Sequence, residues 1–256
     1  MATAFAQDEV PFITTPDHVT LAMLELAGVG PRDHVIDLGS GDGRIVITAA
    51  RRFGASGLGV EIVPDLVRES RENARKAGVA ERTEFLVQDL FATDLTRASV
   101  VTMYLLPDVN LQLRPRLLAL AAGTRIVSHD WDMGDWPPER SLTLDVPDKA
   151  VGRDKFSRVH LWLVPAQVQG LWCAADASIQ ITQRFQAFSA AMTAGQSNAP
   201  AMVWDGRIDG AALHSTGPRS VAMQLQQGQL RITSIAGPGS IYAQREFVRA
   251  DGPACP

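Results

Sequence analysis

Apolar residues recur along this chain at two spacings, and the change from one to the other near residue 150 divides it in two. In the first part, helix-period stripes alternate with short apolar runs. Thr14-Thr15-Pro16 opens a first helix, with Thr15 able to cap it and Pro16 at its first position. Val19, Met23, Leu26 and Ala27 form the apolar side of that helix, and Gly28 ends it. Val35, Ile36 and Leu38 then make a short buried strand. Gly39, Gly41 and Gly43 make a turn, and residues 44–53 make a helix with Ile45, Val46, Ala49, Ala50 and Phe53 at near-helical spacing. A strand at 57–62 leads through Pro64 into a helix with Leu66, Val67, Ser70, Ala74 and Ala77 on one face, closed by Gly78. Strands follow at 83–87 and 99–104, then a Leu-rich helix over 107–122 stopped by Gly123, then a strand at 124–128. Strands alternating with helices predict parallel βαβ units with helices on both faces of one sheet.

Beyond residue 150 the period changes to two. Residues 159–164 read as a strand closing the same sheet. Ile179 and Ile181, then Val221, Met223 and Leu225, then Leu230 and Ile232 alternate as strands do. Gln226-Gln227-Gly228-Gln229 reads as a hairpin connection. The division expected is a disordered start at 1–10, an α/β domain at 11–165, a small and mostly antiparallel β domain at 166–250, and a tail at 251–256, with 195–200 a polar loop. No internal repeat is evident.

Composition narrows the function classes. The chain has 256 residues and a net charge of −4, with no general basic footprint for nucleic acid. No apolar stretch reaches the ~20 residues of a membrane span. The histidines His18, His34, His129, His160 and His214 are scattered, which argues against a metal site. Cys173 and Cys255 are far apart, and Cys255 sits in a Gly-Pro-Ala-Cys-Pro tail expected to be mobile; neither a disulfide framework nor a metal-ligand spacing follows from two cysteines. Ala4-Phe5-Ala6 has the small-x-small pattern of a signal-peptide cleavage point without the segment that precedes one. A cytoplasmic protein is therefore expected, with export as the alternative.

The glycine turn carries the first candidate chemistry. A dinucleotide fingerprint would need glycine at position 44, where Arg44 stands, and Asp37 lies two residues before the first glycine. An acid there disfavours a pyrophosphate and suits a cationic ligand group. In parallel sheets ligands bind outside the carboxyl ends of the strands. The groups at those ends are Asp37 with its glycines, Glu61, Asp89 with Leu90, Tyr104, and His129-Asp130-Trp131.

In that order and spacing, Asp37-x-Gly39-x-Gly41-x-Gly43, Glu61 and Asp89-Leu90 resemble the class I, seven-strand S-adenosylmethionine-dependent methyltransferases. Residues 11–16 and 37–46, Asp89-Leu90-Phe91, Tyr104-Leu105-Leu106 and 123–129 further resemble one branch of them. That branch comprises bacterial relatives of the mitochondrial lysine methyltransferases acting on the ATP synthase c-subunit and the adenine nucleotide translocase. The resemblance covers about residues 10–165 and leaves out the β domain, so the acceptor stays open.

The resemblance implies a Rossmann-like seven-strand sheet and S-adenosyl-L-methionine as methyl donor, with S-adenosyl-L-homocysteine as product. It places the Gly39–Gly43 turn against methionine and ribose, Asp37 near the ammonium, Glu61 on the ribose hydroxyls, Asp89 on the adenine amino group, Leu90 and Ile62 as apolar walls, and Thr15 over the methionine end. Tyr104 would line the methyl channel, with His129 a candidate base and Asn110, Asp130, Trp131 and Trp136 weaker candidates. Asp37 as a turn cap, Glu61 as a solvated strand-end acid and Asp89 as an N-cap are the plainer alternatives. Three functions are carried forward: methylation of a protein lysine, methylation of a small molecule at N or O, and cofactor binding without turnover in an assembly role.

Overall fold

In the computed structural model, residues 13–150, 154–194 and 202–255 are described. The expected disordered start and the polar loop at 195–200 lie outside them. The chain separates into two compact units, one of Met1–Leu113 with Ile126–Trp162 and the other of Arg114–Arg125 with Leu163–Pro256. No helix among the described residues is long and apolar enough to cross a membrane.

The first unit is built on α1 (Asp17–Leu26), β1 (His34–Leu38), α2 (Arg44–Phe53), β2 (Ser56–Glu61), α3 (Pro64–Lys76), β3 (Thr83–Val87), β4 (Val100–Met103), α4 (Pro107–Leu118), β5 (Arg125–His129), β6 (Arg140–Asp145) and β7 (Phe156–Leu163). Its seven strands run in the order β3-β2-β1-β4-β5-β7-β6. β1 pairs in parallel with β2 and β4, and β6 pairs antiparallel with β7. The strand order reverses between β1 and β4, so the crevice for a ligand opens at their carboxyl ends. One buried cluster joins Val19, Met23 and Leu24 of α1 and Ile45 and Ala49 of α2 to Val35, Val100, Val127 and Val159 of the sheet. A second joins Val46 and Ala50 of α2, Val67 and Ala74 of α3, and Phe85 of β3. Each fully buried aliphatic or aromatic side chain contributes about 1.5–3 kcal/mol, and these clusters hold the strand ends in place.

Two local expectations change. Thr15 does not cap α1: the cap position is Pro16, without a side-chain hydrogen bond, because the Thr15 hydroxyl is directed to the His129 ring instead. α4 ends at Leu118 rather than 122. Pro115 removes one amide donor inside the helix, and beyond it Ala119 and Leu120 donate to the carbonyls three residues back, tightening and closing the last turn. β6 is an additional strand whose mostly exposed polar pattern gave no apolar run to read.

The second unit is an eight-stranded closed antiparallel barrel: β8 (Gly170–Ala174), β9 (Ala177–Arg184), β10 (Ala187–Ala194), β11 (Met202–Asp209), β12 (Ala212–Ser215), β13 (Val221–Gln226), β14 (Gln229–Ile235) and β15 (Glu246–Arg249). Closure leaves no open sheet edge. Its interior is filled by its own side chains, among them Trp172, Ile179, Ile181, Phe188, Met223, Ile232 and Phe247. The expected hairpin joins β13 to β14, with Gln227 at φ 51° and Gly228 at φ 79°, the paired positive angles that match strand twist in a two-residue turn. Contrary to the expectation of a mobile tail, Cys255 is tied down: it forms a disulfide with Cys173 of β8, their Cα atoms 5.6 Å apart. The partners are 82 residues apart in sequence, and the closed barrel is what brings them together.

Candidate active site

The glycine turn leaves β1 with Gly39, Gly41 and Gly43 at φ 75°, 51° and 81°, a left-handed backbone that side chains rarely adopt. Gly43 is doubly constrained, since a Cβ there would stand 2.7 Å from the Phe85 ring. The amides of this turn are already used. Gly39 and Ser40 both donate to the Val60 carbonyl at 2.9 Å, Gly43 to the Ser40 carbonyl at 2.9 Å, and Gly41 to Glu61 Oε2 at 3.1 Å. A phosphate loop works by pointing free N–H groups at an anion, and this turn has turned four of its own inward. It accepts close approach by a ligand while offering little to a pyrophosphate. The Ser40 hydroxyl is buried without a partner, an orphan that a ligand seated on the turn would satisfy.

Arg44, which stands where a dinucleotide site has its third glycine, is a latch. It grips Asp42 through Nε and Nη2, at 3.0 and 2.6 Å, and donates from Nη1 to the Thr15 carbonyl at 2.9 Å. The hydrogen bond to Asp42 holds its pKa above the usual arginine value. The residues before α1 are thereby tied to the turn, and Thr15 is buried there.

Acids line the neighbouring strand ends. Asp37 is buried and accepts from the Thr102 hydroxyl at 2.7 Å. Burial pushes its carboxyl up to about 7, against the Thr102 hydrogen bond and with help from the charges of Asp42 and Glu61. Glu61 is held on both oxygens: Oε2 by the Gly41 amide, and Oε1 by the Ile62 and Val63 amides at 2.8 and 3.0 Å. Asp89 caps the short 3-10 turn Leu90–Ala92 by accepting from the Phe91 amide at 2.8 Å. Ile62, Val63, Val87 and Phe91, all at or beside the ends of β2 and β3, expose large apolar side chains. That surface, next to two carboxylates, suits a flat heterocycle joined to a diol.

At the ends of β4 and β5 a second cluster forms. The Tyr104 ring lies 3.9 Å from the His129 ring, tilted by 32°, and its hydroxyl donates to Asp130 Oδ2 at 3.2 Å. Burial and the Asp130 charge raise the phenol to about 12, so it stays protonated. His129 is buried with both ring nitrogens engaged, Nδ1 with Thr15 Oγ1 at 3.1 Å and Nε2 with Ser157 Oγ at 2.9 Å. Burial lowers it to about 4, only partly offset by Asp130, so the ring is neutral near pH 7. Burial drives the Asp130 carboxyl up, but Lys149, His129 and the Arg158 amide together hold it below the usual carboxylate range. The weaker candidates separate. Asn110 is buried, its amide shared among the Ser128 hydroxyl and the Trp131 and Asp132 carbonyls, with Oδ1 unpartnered. Trp131 is exposed, and Trp136 is buried against Trp162. Lys149 and Ser157 were not singled out as site residues by sequence, and Arg44 was read there only as a missing glycine; their contacts come from folding. Among the described residues no group of metal-binding side chains occurs.

A doubly wound sheet in this order, with a turn closed to phosphate and a carboxylate at the end of β1, at the end of β2 and just after β3, defines a seven-strand S-adenosylmethionine-dependent methyltransferase. Comparison with known proteins agrees. The family model for the ANTKMT methyltransferase domain matches residues 37–140. A protein-lysine N-methyltransferase of Saccharolobus islandicus (strain REY15A) is 43% identical over 138 residues, which are 53% of this chain and 86% of that protein. The ATP synthase c-subunit lysine N-methyltransferase of Mus musculus is 36% identical over 111 residues, 43% of this chain and 44% of that protein. The crystal structure of an RNA methyltransferase from Salinibacter ruber in complex with S-adenosyl-L-homocysteine is 50% identical, covers 61% of this chain and 96% of that one, and gives a TM-score of 0.55. The chain belongs to the ANTKMT methyltransferase-domain family.

Proposed function

We propose that this enzyme transfers the methyl group of S-adenosylmethionine to the side-chain nitrogen of a protein lysine. The observation that carries the reading is the identity to a protein-lysine N-methyltransferase across most of that protein's length. The Tyr104–Asp130 pair, an aromatic face beside a carboxylate, supports it as a place for an amine. The donor supplies an electrophilic methyl group on a sulfonium. The lysine nitrogen, after losing a proton to solvent, forms the new C–N bond as the C–S bond breaks and its electrons pass to sulfur. The protein's part is positioning and exclusion of water. Glu61 accepts from the ribose, Asp37 faces the ammonium, Asp89 accepts from the adenine amine between Ile62 and Leu90, the Gly39–Gly43 turn admits methionine and ribose, and Thr15 closes over the methionine end. Tyr104 lines the acceptor path on a platform formed by neutral His129.

The Asp37 role has a pH consequence. Its folded pKa is raised, so the neutral acid's contribution to stability is complete below the ordinary carboxylate pKa and is lost as pH rises through about 7. Only the ionised form pairs with an ammonium. Affinity for S-adenosylhomocysteine is therefore expected to rise on the order of tenfold from about pH 5.5 to about pH 7, and Asp37→Asn flattens that rise. Calorimetric titration across the range checks it, and a flat wild-type profile would remove Asp37 from the ammonium.

A second reading follows from the Salinibacter ruber structure, whose name gives RNA as acceptor; the net charge of −4 weighs against a polyanion. The barrel's interior is packed with its own buried side chains. Tritiated S-adenosylmethionine supplied with a cell extract separates the readings: label in protein, released as methyl-lysine on hydrolysis, supports the first. Label confined to RNA or to small molecules overturns it, and binding without transfer leaves the assembly role. The Cys173–Cys255 bond supports an oxidising compartment over a cytoplasmic one.

A further inference from the structure

Lys149 lies in the connection between β6 and β7, yet its amine reaches the cluster at the ends of β4 and β5. Its Nζ stands 2.7 Å from Asp130 Oδ2 and donates to the Phe156 carbonyl at 2.8 Å. Tyr104 donates to the same carboxylate oxygen, so phenol and ammonium are neighbours on one acceptor. A carboxylate, a carbonyl and an aromatic hydroxyl together form the donor-poor, acceptor-rich surroundings an ammonium requires. Both ends of the Lys149–Asp130 pair are largely withdrawn from solvent, the side chains 15% and 14% exposed.

The cradle is built rather than incidental. Asp130 sits at φ 63°, a left-handed backbone uncommon for a residue with a side chain. Two bonds to one neighbour hold it there: its amide donates to the Arg158 carbonyl at 2.7 Å, and Oδ1 accepts from the Arg158 amide at 3.0 Å. Backbone strain maintained by surrounding bonds is a feature of sites where a side chain must be aimed. The cradle also borders the donor side. Leu105, next to Tyr104, brings Cδ2 within 3.1 Å of where a Gly39 Cβ would be. Thr15 bonds the His129 ring with its hydroxyl and Arg44 with its carbonyl.

We infer that Asp130, Tyr104 and the Phe156 carbonyl form the subsite for the acceptor's ammonium, and that Lys149 occupies it as an internal competitor which an incoming lysine must displace. The inference rests on the lysine reading above and deepens it. Asp130 binds the charged amine before transfer; the proton is then released to water, and the freed lone pair is presented over Tyr104. A site filled most of the time by its own lysine weakens apparent acceptor affinity in proportion to the open fraction.

The test uses the full chain with two probes, Nα-acetyl-lysine methylamide titrated in the presence of S-adenosylhomocysteine, and an unstructured lysine-containing peptide methylated with tritiated S-adenosylmethionine. Lys149→Met keeps the length and removes the charge. It is expected to tighten the first probe and lower the peptide KM, each about fivefold or more, with kcat moving less than KM. Lys149→Arg, which keeps a competing cation, stays near wild type. Asp130→Asn is expected to lose detectable probe binding while S-adenosylhomocysteine affinity stays within about twofold, since Asp130 bonds Tyr104, Lys149 and Arg158, none of them assigned to the cofactor. An unchanged or raised peptide KM in Lys149→Met, with melting temperature and cofactor binding preserved, makes Lys149 a structural partner and overturns the inference alone. If Asp130→Asn does not fold, the Lys149→Met result decides by itself. Wild-type protein that binds S-adenosylhomocysteine but labels lysine in neither the peptide nor any protein of an extract overturns the lysine reading, and this inference with it.

Discussion

Replacing Glu61 by alanine is expected to lower affinity for S-adenosylhomocysteine by at least about a hundredfold, equivalent to about 2.7 kcal/mol, with the fold retained. Two losses combine. The carboxylate accepts from the Gly41, Ile62 and Val63 amides, so it sets the shape of the turn as well as the end of β2. It is also the group proposed to accept from the ribose. A carboxylate has about four acceptor positions, and three backbone donors leave room for one ribose hydroxyl, on Oε2, without breaking an existing bond. Alanine removes that position and leaves the Gly41 amide without its partner. Glu61→Gln keeps the volume but presents an NH2 group to amides that need an acceptor, so it should still cost about tenfold or more. Calorimetry with S-adenosylhomocysteine, alongside circular dichroism to confirm folding, reads both. Affinity within threefold of wild type in Glu61→Ala would return Glu61 to a solvated strand-end acid.

The position of Glu61 illustrates how much of this arrangement could be read before folding. Local order was legible because it is local: β1, the glycine turn and α2 follow from apolar spacing and from glycines at three alternate positions. Acids at the ends of β1 and β2 and just after β3 were legible because parallel topology puts strand ends together. What sequence withheld is long-range. Thr15 is followed by Pro16 and reads as a cap, but its hydroxyl goes to a ring 114 residues away. Arg44 reads as an absent glycine, whereas its side chain spans 29 residues to the Thr15 carbonyl. Lys149 lies in no motif at all. The barrel was visible as alternation at Ile179, Ile181 and 221–232, but β11, β12 and β15 carry sparse buried residues between polar ones and gave no run to recognise. Pairings of that kind become definite only once closure fixes the register.

Reducing the Cys173–Cys255 bond is expected to destabilise the barrel by about 4.5 kcal/mol, on the loop-entropy relation for a closure of this length. The position of the bond argues for an effect of that size. β15 and β8 form the seam that closes the barrel, and only Val248↔Cys173 and Arg249↔Trp172 are in register there, against eight pairs between β9 and β10. The seam is reinforced by the Ala250 amide bonding the Leu171 carbonyl at 2.8 Å and by the Arg249 guanidinium 4.7 Å over the Trp172 ring. The disulfide then ties the chain beyond β15 back to β8, so the seam is held past its last paired residue as well. Without it, β15 is the strand expected to open first, exposing Phe247 and Trp172 from the barrel core. Denaturant unfolding with and without reductant, and of Cys255→Ser, measures the change. The stabilisation conferred by S-adenosylhomocysteine should persist in the reduced protein, because Asp37, Glu61, Asp89 and Tyr104 all belong to the other unit. Unfolding curves that coincide under both conditions would show the seam to be sufficient by itself. Loss of cofactor stabilisation on reduction would show instead that the barrel's integrity is required by the methyl-donor site.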